Sequence, residues 1–123
     1  MAIQKILIVD DSPTERYYLT DILVRNGFTV TTAENGEEAL AKIRADRPEL
    51  ILMDVVMPGA NGFQITRSIT RDPELASVPI IICSSKNQET DRIWGLRQGA
   101  VDYMVKPVSM DQLVEKAQAA LAA

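Results

Sequence analysis

Five short apolar runs that alternate with amphipathic stretches predict an α/β domain: a doubly wound parallel sheet of five strands in the order 2-1-3-4-5, carrying five helices. Three of the runs are apolar throughout, the pattern of parallel strands buried on both faces. The connections are short, so right-handed crossovers place helices on both sides of the sheet.

The first strand is read at Lys5–Val9 (KILIV). It leads into Ser12-Pro13-Thr14-Glu15, a capping box with proline at the first helical position. Tyr18, Leu19, Ile22 and Leu23 share one face of the helix that follows, and Gly27 ends it. Residues 28–32 (FTVTT) alternate and are read as an edge strand. Asn35 with Glu38 opens the second helix, bearing Ala39, Leu40 and Ile43 inward. Leu50–Met53 (LILM) is a continuous central strand, and Asn61 with Gln64 opens the third helix, bearing Ile65 and Ile69. Residues 78–83 (VPIIIC) form the fourth strand, with Cys83 as core packing. The fourth helix, over 88–98, turns Ile93 and Leu96 inward. Residues 101–105 (VDYMV) carry polar residues and suit the opposite edge. Ser109 with Gln112 opens the last helix, whose buried stripe is Leu113, Val114, Ala117, Ala120 and Leu121. The expected architecture is flavodoxin-like, one domain over 1–123 with no output domain after the fifth helix.

Composition narrows the chemistry. With 123 residues, 46% apolar and 24% charged, the chain is an ordinary folded domain. It has no histidine, which excludes Ser-His-Asp and Cys-His nucleophiles, His-ligated metals and a phosphohistidine of its own. One cysteine excludes internal disulfides, thiolate zinc and Cys-x-x-Cys redox chemistry. A net charge of -4 argues against a nucleic-acid footprint. The N-terminus lacks a signal-peptide pattern and no apolar run is long enough to cross a membrane, so the cytoplasm is the expected compartment.

The carboxyl ends of the strands hold the polar residues. Strand 1 ends in Asp10 and Asp11, strand 3 in Asp54, strand 4 in Ser84 and strand 5 in Lys106. Ligands bind at this edge of such sheets, in the crevice beside strands 1 and 3. A carboxylate after a strand is ordinarily a helix cap, but Ser12 fits the cap of the first helix, and Pro58, Gly59 and Asn61 separate Asp54 from the third. Two carboxylates about 5 Å apart repel by roughly 3 kcal/mol at an effective dielectric near 20. An all-oxygen cluster without His or Cys therefore calls for a hard cation, Mg²⁺ or Mn²⁺, with Lys106 adding a second positive charge. Such a pocket accepts a phosphoryl group, and Asp54, alone at the end of the central strand, is the candidate nucleophile, with Asp10 and Asp11 on the metal.

Taken together, VDDS, LMDVVMPGANG, CSSK and GAVDYMVKP, in this order and spacing, resemble the CheY-type receiver domain of two-component response regulators over essentially the whole chain. The resemblance implies that Asp54 is the phosphorylated aspartate, Asp11 a direct Mg²⁺ ligand and Asp10 its partner. The carbonyl of Val56 is the remaining protein ligand. It further makes Ser84 the switch hydroxyl, Lys106 the lysine that pairs with phosphoryl oxygens, and Tyr103 the aromatic switch. The Lys106–Pro107 bond is expected to be cis. Ser84 stands where threonine is frequent, and Val56 and Lys86 occupy positions that tune dephosphorylation. The implied partners are a CheA-like sensor histidine kinase as phosphodonor and a downstream protein target, the chain itself being a monomer and no conventional enzyme. More narrowly, CSSKNQETDRIWGLRQGAVDY with DDSPTE is similar to PilH-type regulators of type IV pilus twitching motility. Trp94, with Tyr103, is a candidate partner contact, since tryptophan is enriched at interface hot spots.

Other readings use the same fold. A phosphate sink for a shared kinase, or a receiver in another signalling pathway, needs the same site residues. A nucleotide or flavin carrier would need phosphate donors where Asp10-Asp11 repel phosphate. An aspartyl phosphatase would usually place a second Asp two residues after Asp54, where Val56 stands.

Overall fold

β1 (Lys5–Val9) is buried from Ile6 to Val9, on both of its faces. Four hydrophobic residues in a row can all be buried only where layers cover both sides of the strand, and the remaining elements supply them. In the computed structural model, which describes residues 4–122, the order is β1, α1 (Pro13–Arg25), β2 (Thr29–Ala33), α2 (Gly36–Ala45), β3 (Leu50–Met53), α3 (Gly62–Arg71), β4 (Ile80–Ser84), α4 (Glu89–Arg97), β5 (Asp102–Val105) and α5 (Met110–Ala122). The ends of the expected domain span, 1–3 and 123, lie outside the described residues. All four strand pairs are parallel and the order is β2-β1-β3-β4-β5, as the sequence predicts.

The pleat of the sheet sorts its side chains between two cores. Ile6, Ile8, Leu50, Leu52, Ile81 and Cys83 pack with Leu19 and Leu23 of α1 and Leu113 and Ala117 of α5. Leu7, Val9, Ile51, Met53 and Ile80 point the other way, against Ala39 and Ile43 of α2 and Ile65 and Ile69 of α3. Burying each such side chain stabilises the fold by about 1.5–3 kcal/mol before entropy is counted. A smaller cluster of Val55, Phe63, Ile82, Ala100 and Tyr103 underlies α4.

Helix starts follow the capping chemistry. Asn35 accepts the Glu38 N–H at 2.8 Å, and Asn61 and Gln64 exchange both bonds of a capping box, at 2.9 and 3.0 Å. Ser109 Oγ accepts from Gln112 N at 3.1 Å. Gly27, after the C-cap of α1, has φ +91°, a left-handed turn that other residues rarely adopt.

Three expectations are corrected. β2, β4 and β5 each start later than read, at Thr29, Ile80 and Asp102: Phe28 and Val78 belong to the turns, where their amides bond the carbonyls of Leu23 and Leu75, and Val101 lies exposed before its strand. In α4, Ile93 faces solvent at 41% exposure. That helix buries Gly95 instead, since a Cβ there would stand 2.8 Å from Ile82 Cδ1, so the helix axis lies too close to the sheet for a larger inward residue. At α1 the Ser12 hydroxyl accepts the Glu15 N–H at 3.3 Å, but the Ser12 N–H is taken by Asp10 Oδ1 at 2.9 Å, so Asp10 replaces Glu15 as the return partner of the box.

Candidate functional site

Strand register builds the site. Val9 pairs with Met53, so the next residues, Asp10 and Asp54, emerge side by side on neighbouring strands. One further backbone bond anchors each of the residues that follow a strand end: Asp10 N–H to the Ala33 carbonyl (3.0 Å), Asp54 N–H to Val9 (2.9 Å) and Lys106 N–H to Ser84 (2.9 Å). The ladder thus reaches one residue past the strands and fixes the backbone from which the polar side chains project.

Asp10, Asp11 and Asp54 each offer a carboxylate oxygen, and these atoms lie within 4.8 Å of one another. Asp10 and Asp54 are buried and Asp11 is exposed. Lys106 Nζ stands 2.6 Å from Asp10 Oδ2 and 3.5 Å from Asp54 Oδ1. Burial, and then the Asp10 charge, raise the Asp54 carboxyl above the ordinary aspartate value, with Lys106 opposing them. Burial of the Lys106 ammonium would by itself lower its pKa, but the hydrogen bond to Asp10 and the charges of Asp54 and Asp10 outweigh it, and the net direction is up. The lysine is therefore a fixed cation at neutral pH.

The donor set suits a hard divalent cation. It is all oxygen, it holds more negative charge than Lys106 alone neutralises, and Asp11 is open to solvent for entry. Asp10 already uses both oxygens, one on Ser12 N–H and one on Lys106, whereas Asp11 accepts no hydrogen bond among the described residues. Val56 is exposed in the loop after Asp54 and has no polar side-chain atom, so its carbonyl is the only ligand it can supply.

Ser84 is fully buried and its Oγ accepts the Lys86 N–H at 3.2 Å. Tyr103 is turned inward: it is 7% exposed and its hydroxyl donates to the Lys86 carbonyl at 2.8 Å. Ser84 and Tyr103 thus hold the same residue of the β4–α4 loop. In this inward position the Tyr103 ring, expected as a partner contact, presents little surface. Trp94 is 49% exposed on α4 and borders a small groove with Phe63 and Arg67. Tyr18 on α1 donates to the Val108 carbonyl at 2.6 Å, which ties α1 to the segment after Lys106. The Lys106–Pro107 peptide is cis. Burial pushes the Cys83 thiol up to about 12, so it stays protonated and inert, in keeping with core packing.

Two contributors escaped the sequence reading. Arg16 donates to the Asp10 carbonyl at 2.7 Å and reaches Glu34 at 3.3 Å, so it braces the turn that carries the aspartate pair. Gly62 lets α3 start directly against Asp54: a Cβ there would lie 1.9 Å from the Asp54 carbonyl oxygen. Asn61-Gly62 at a helix start was the available signal for the glycine. Nothing local marks Arg16, whose bonds depend on the packing of α1 over the sheet edge.

A five-stranded parallel sheet with three aspartates and a lysine at its carboxyl edge defines a class. The chain belongs to the response regulator receiver domain family, whose model matches residues 6–118. It is 52% identical to Protein PilH of Pseudomonas aeruginosa over 118 residues, 96% of this chain and 98% of that one. It is 37% identical to the DNA-binding response regulator MtrA of Mycolicibacterium smegmatis over 96% of this chain, but that match spans 50% of MtrA. Among solved structures, the chemotaxis protein CheY4 of Vibrio cholerae aligns with a TM-score of 0.92 at 32% identity, covering 98% of this chain and all of that one. No helix among the described residues is long and apolar enough to cross a membrane.

Proposed function

We propose that this chain is a response regulator receiver in which Asp54 takes a phosphoryl group from the phosphohistidine of a partner histidine kinase. The observation that carries the reading is the position of Lys106, within 2.6 Å of Asp10 and 3.5 Å of Asp54 at one end of the sheet. In the transfer an Asp54 carboxylate oxygen forms the new bond to phosphorus, the nitrogen–phosphorus bond breaks, and the imidazole, already protonated on its other ring nitrogen, takes the electron pair and leaves neutral. Asp11 and Asp54 with the Val56 carbonyl, and Asp10 as the partner of Asp11, would hold Mg²⁺ or Mn²⁺, which when bound supplies charge neutralisation for the acceptor and the incoming phosphoryl oxygens. Lys106 moves from its carboxylate partners to a phosphoryl oxygen. Ser84, a short distance along the same edge, supplies a hydroxyl donor to the phosphorylated state.

A change at Ser84 is felt by Lys86, which Tyr103 also holds, so the β4–α4 loop is the element through which the phosphoryl charge would alter the α4–β5–α5 face for a protein target. The domain promotes its own phosphorylation and hydrolysis without being a conventional enzyme, and works as a cytoplasmic monomer fed by a CheA-like kinase. The identity to PilH over nearly both whole chains supports a place in chemotaxis-like control of type IV pilus twitching motility.

Incubation with acetyl phosphate and Mg²⁺, followed by intact-mass measurement, tests the reading. One phosphoryl group is expected on the wild-type chain and none on Asp54→Asn; a labelled Asp54→Asn chain would refute the assignment.

A further inference from the structure

On the α2–α3 side of the carboxylate cluster lies a groove of about 760 Å³. Leu40, Pro58 and Ile65 give it apolar surface, while Asp11, Glu34 and Glu37 give it three acids; no Lys or Arg lines it. Gly36 explains why two helices make one continuous floor: a Cβ there would fall 2.6 Å from Ile65 Cδ1, so α2 begins directly on α3. The nearby cations are engaged at the margin. Arg16 spans the Asp10 carbonyl and Glu34, and Lys42 pairs with Glu38 at 3.4 Å. Glu37 has no ion-pair partner among the described residues.

We propose that this groove docks a partner protein through a short segment in which one or two apolar side chains are flanked by Lys or Arg. The charge decides the class of occupant. Even with a cation on Asp11 and Arg16 on Glu34, an acidic segment would meet the exposed Glu37, unpaired among the described residues, beside Glu34, whereas a basic one gains complementarity at the rim and faster encounter. The floor decides the rest, since Leu40, Pro58 and Ile65 release water only to an apolar side chain, and a groove of this size takes one or two. Asp11 belongs to both the groove and the cation pocket, so the occupant lies beside Asp54. The inference goes beyond the phosphoacceptor reading and does not depend on it.

The test is an amide chemical-shift titration of the full ¹⁵N-labelled chain in Mg²⁺ with the synthetic peptide Ac-RKLLRK-NH₂, with Ac-EELLEE-NH₂ and spermidine as controls. Saturable shifts are expected at Leu40, Gly59, Gln64 and Ile65 with the basic peptide alone, and the double variant Glu34→Lys/Glu37→Lys should weaken them at least 10-fold. If that variant does not fold, Ser68→Trp, which fills the groove from its α3 wall, serves in its place. Shifts centred elsewhere, equal shifts from either control, or binding unaffected in the folded variant overturn the proposal. Acetyl phosphate uptake is read on the same samples. Its loss with peptide binding intact removes the phosphoacceptor reading alone, and the reverse result removes the groove alone.

Discussion

Lys106 and Asp10 form the least exposed ion pair among the described residues, with side chains 16% and 3% exposed and 2.6 Å between Nζ and Oδ2. A pair this buried is weak evidence for stability as a unit, but removing one member strands the other. Lys106→Met leaves Asp10 and Asp54 facing each other without a counter-charge, and should cost about 3 kcal/mol. For a domain of this size that is a fall in Tm of roughly 10 °C. Added Mg²⁺ should recover more of the loss than it adds to the wild type, because the variant has the larger uncompensated charge. Thermal melts in EDTA and in MgCl₂ measure both, and equal melting of variant and wild type in EDTA would contradict the electrostatic account.

Asp54 carries the opposite sign. Its carboxyl is raised above the ordinary 3.8 by burial and by Asp10, so the fold favours its protonated form. The stabilisation from that protonation is fully present below the unfolded value and is lost as pH rises through the folded value. At pH 7 the ionised side chain therefore works against the metal-free fold. Asp54→Asn, neutral at every pH, should melt several degrees higher than wild type in EDTA at pH 7, where about 1 kcal/mol corresponds to roughly 3–5 °C. The gap should narrow as the pH is lowered toward 4. A gap that widens on acidification would mean that Asp54 is stabilised as the anion.

Asp11 separates metal binding from folding. It is exposed and makes no hydrogen bond among the described residues, so Asp11→Asn loses no contact and, by removing one of three clustered carboxylates, should leave the metal-free fold as stable as the wild type or slightly more so. A cation bound only by the native state stabilises it by about 1.4 kcal/mol at ten times its dissociation constant. Wild type should gain that increment in MgCl₂, and Asp11→Asn should gain little or none. Differential scanning calorimetry at matched ionic strength checks this, with Na₂SO₄ as the salt control. An undiminished gain in the variant would move the metal away from Asp11.

What could be read from the chain before folding follows from the range of each interaction. Caps and strand periodicity are local, so Asn35, Asn61 and the LILM strand were legible directly. The fate of Ile93 was not, because it depends on how closely α4 approaches Ile82, a distance no window of sequence contains. The aspartates and Lys106 were legible because parallel strands must end at one edge, whatever the packing. Arg16 was not, since its contact with Asp10 arises only when α1 folds back across that edge. The half-formed box at Ser12 shows the same limit: Asp10, a site residue, competes for the amide that a purely local reading assigns to Glu15.

Gly62 offers the sharpest test of how the fold places Asp54. Two glycines fail to tolerate a methyl group for different reasons. At Gly27 the obstacle is φ +91° with nothing within 4 Å, so Gly27→Ala should cost about 1 kcal/mol and leave the site untouched. At Gly62 the obstacle is contact, with Cβ falling 1.9 Å from the Asp54 carbonyl oxygen and 2.9 Å from Val55 Cα. Both are backbone atoms of the loop that carries the acceptor, so neither can rotate away. Gly62→Ala must push α3 off that loop or drag Asp54 with it, at a cost of about 3 kcal/mol or more. Urea denaturation measures the stability difference, and acetyl phosphate uptake under folded conditions measures displacement of Asp54. Uptake should fall at least 10-fold in Gly62→Ala and stay near wild type in Gly27→Ala. Equal uptake in both variants would show that the β3–α3 loop absorbs the methyl group without moving the acceptor.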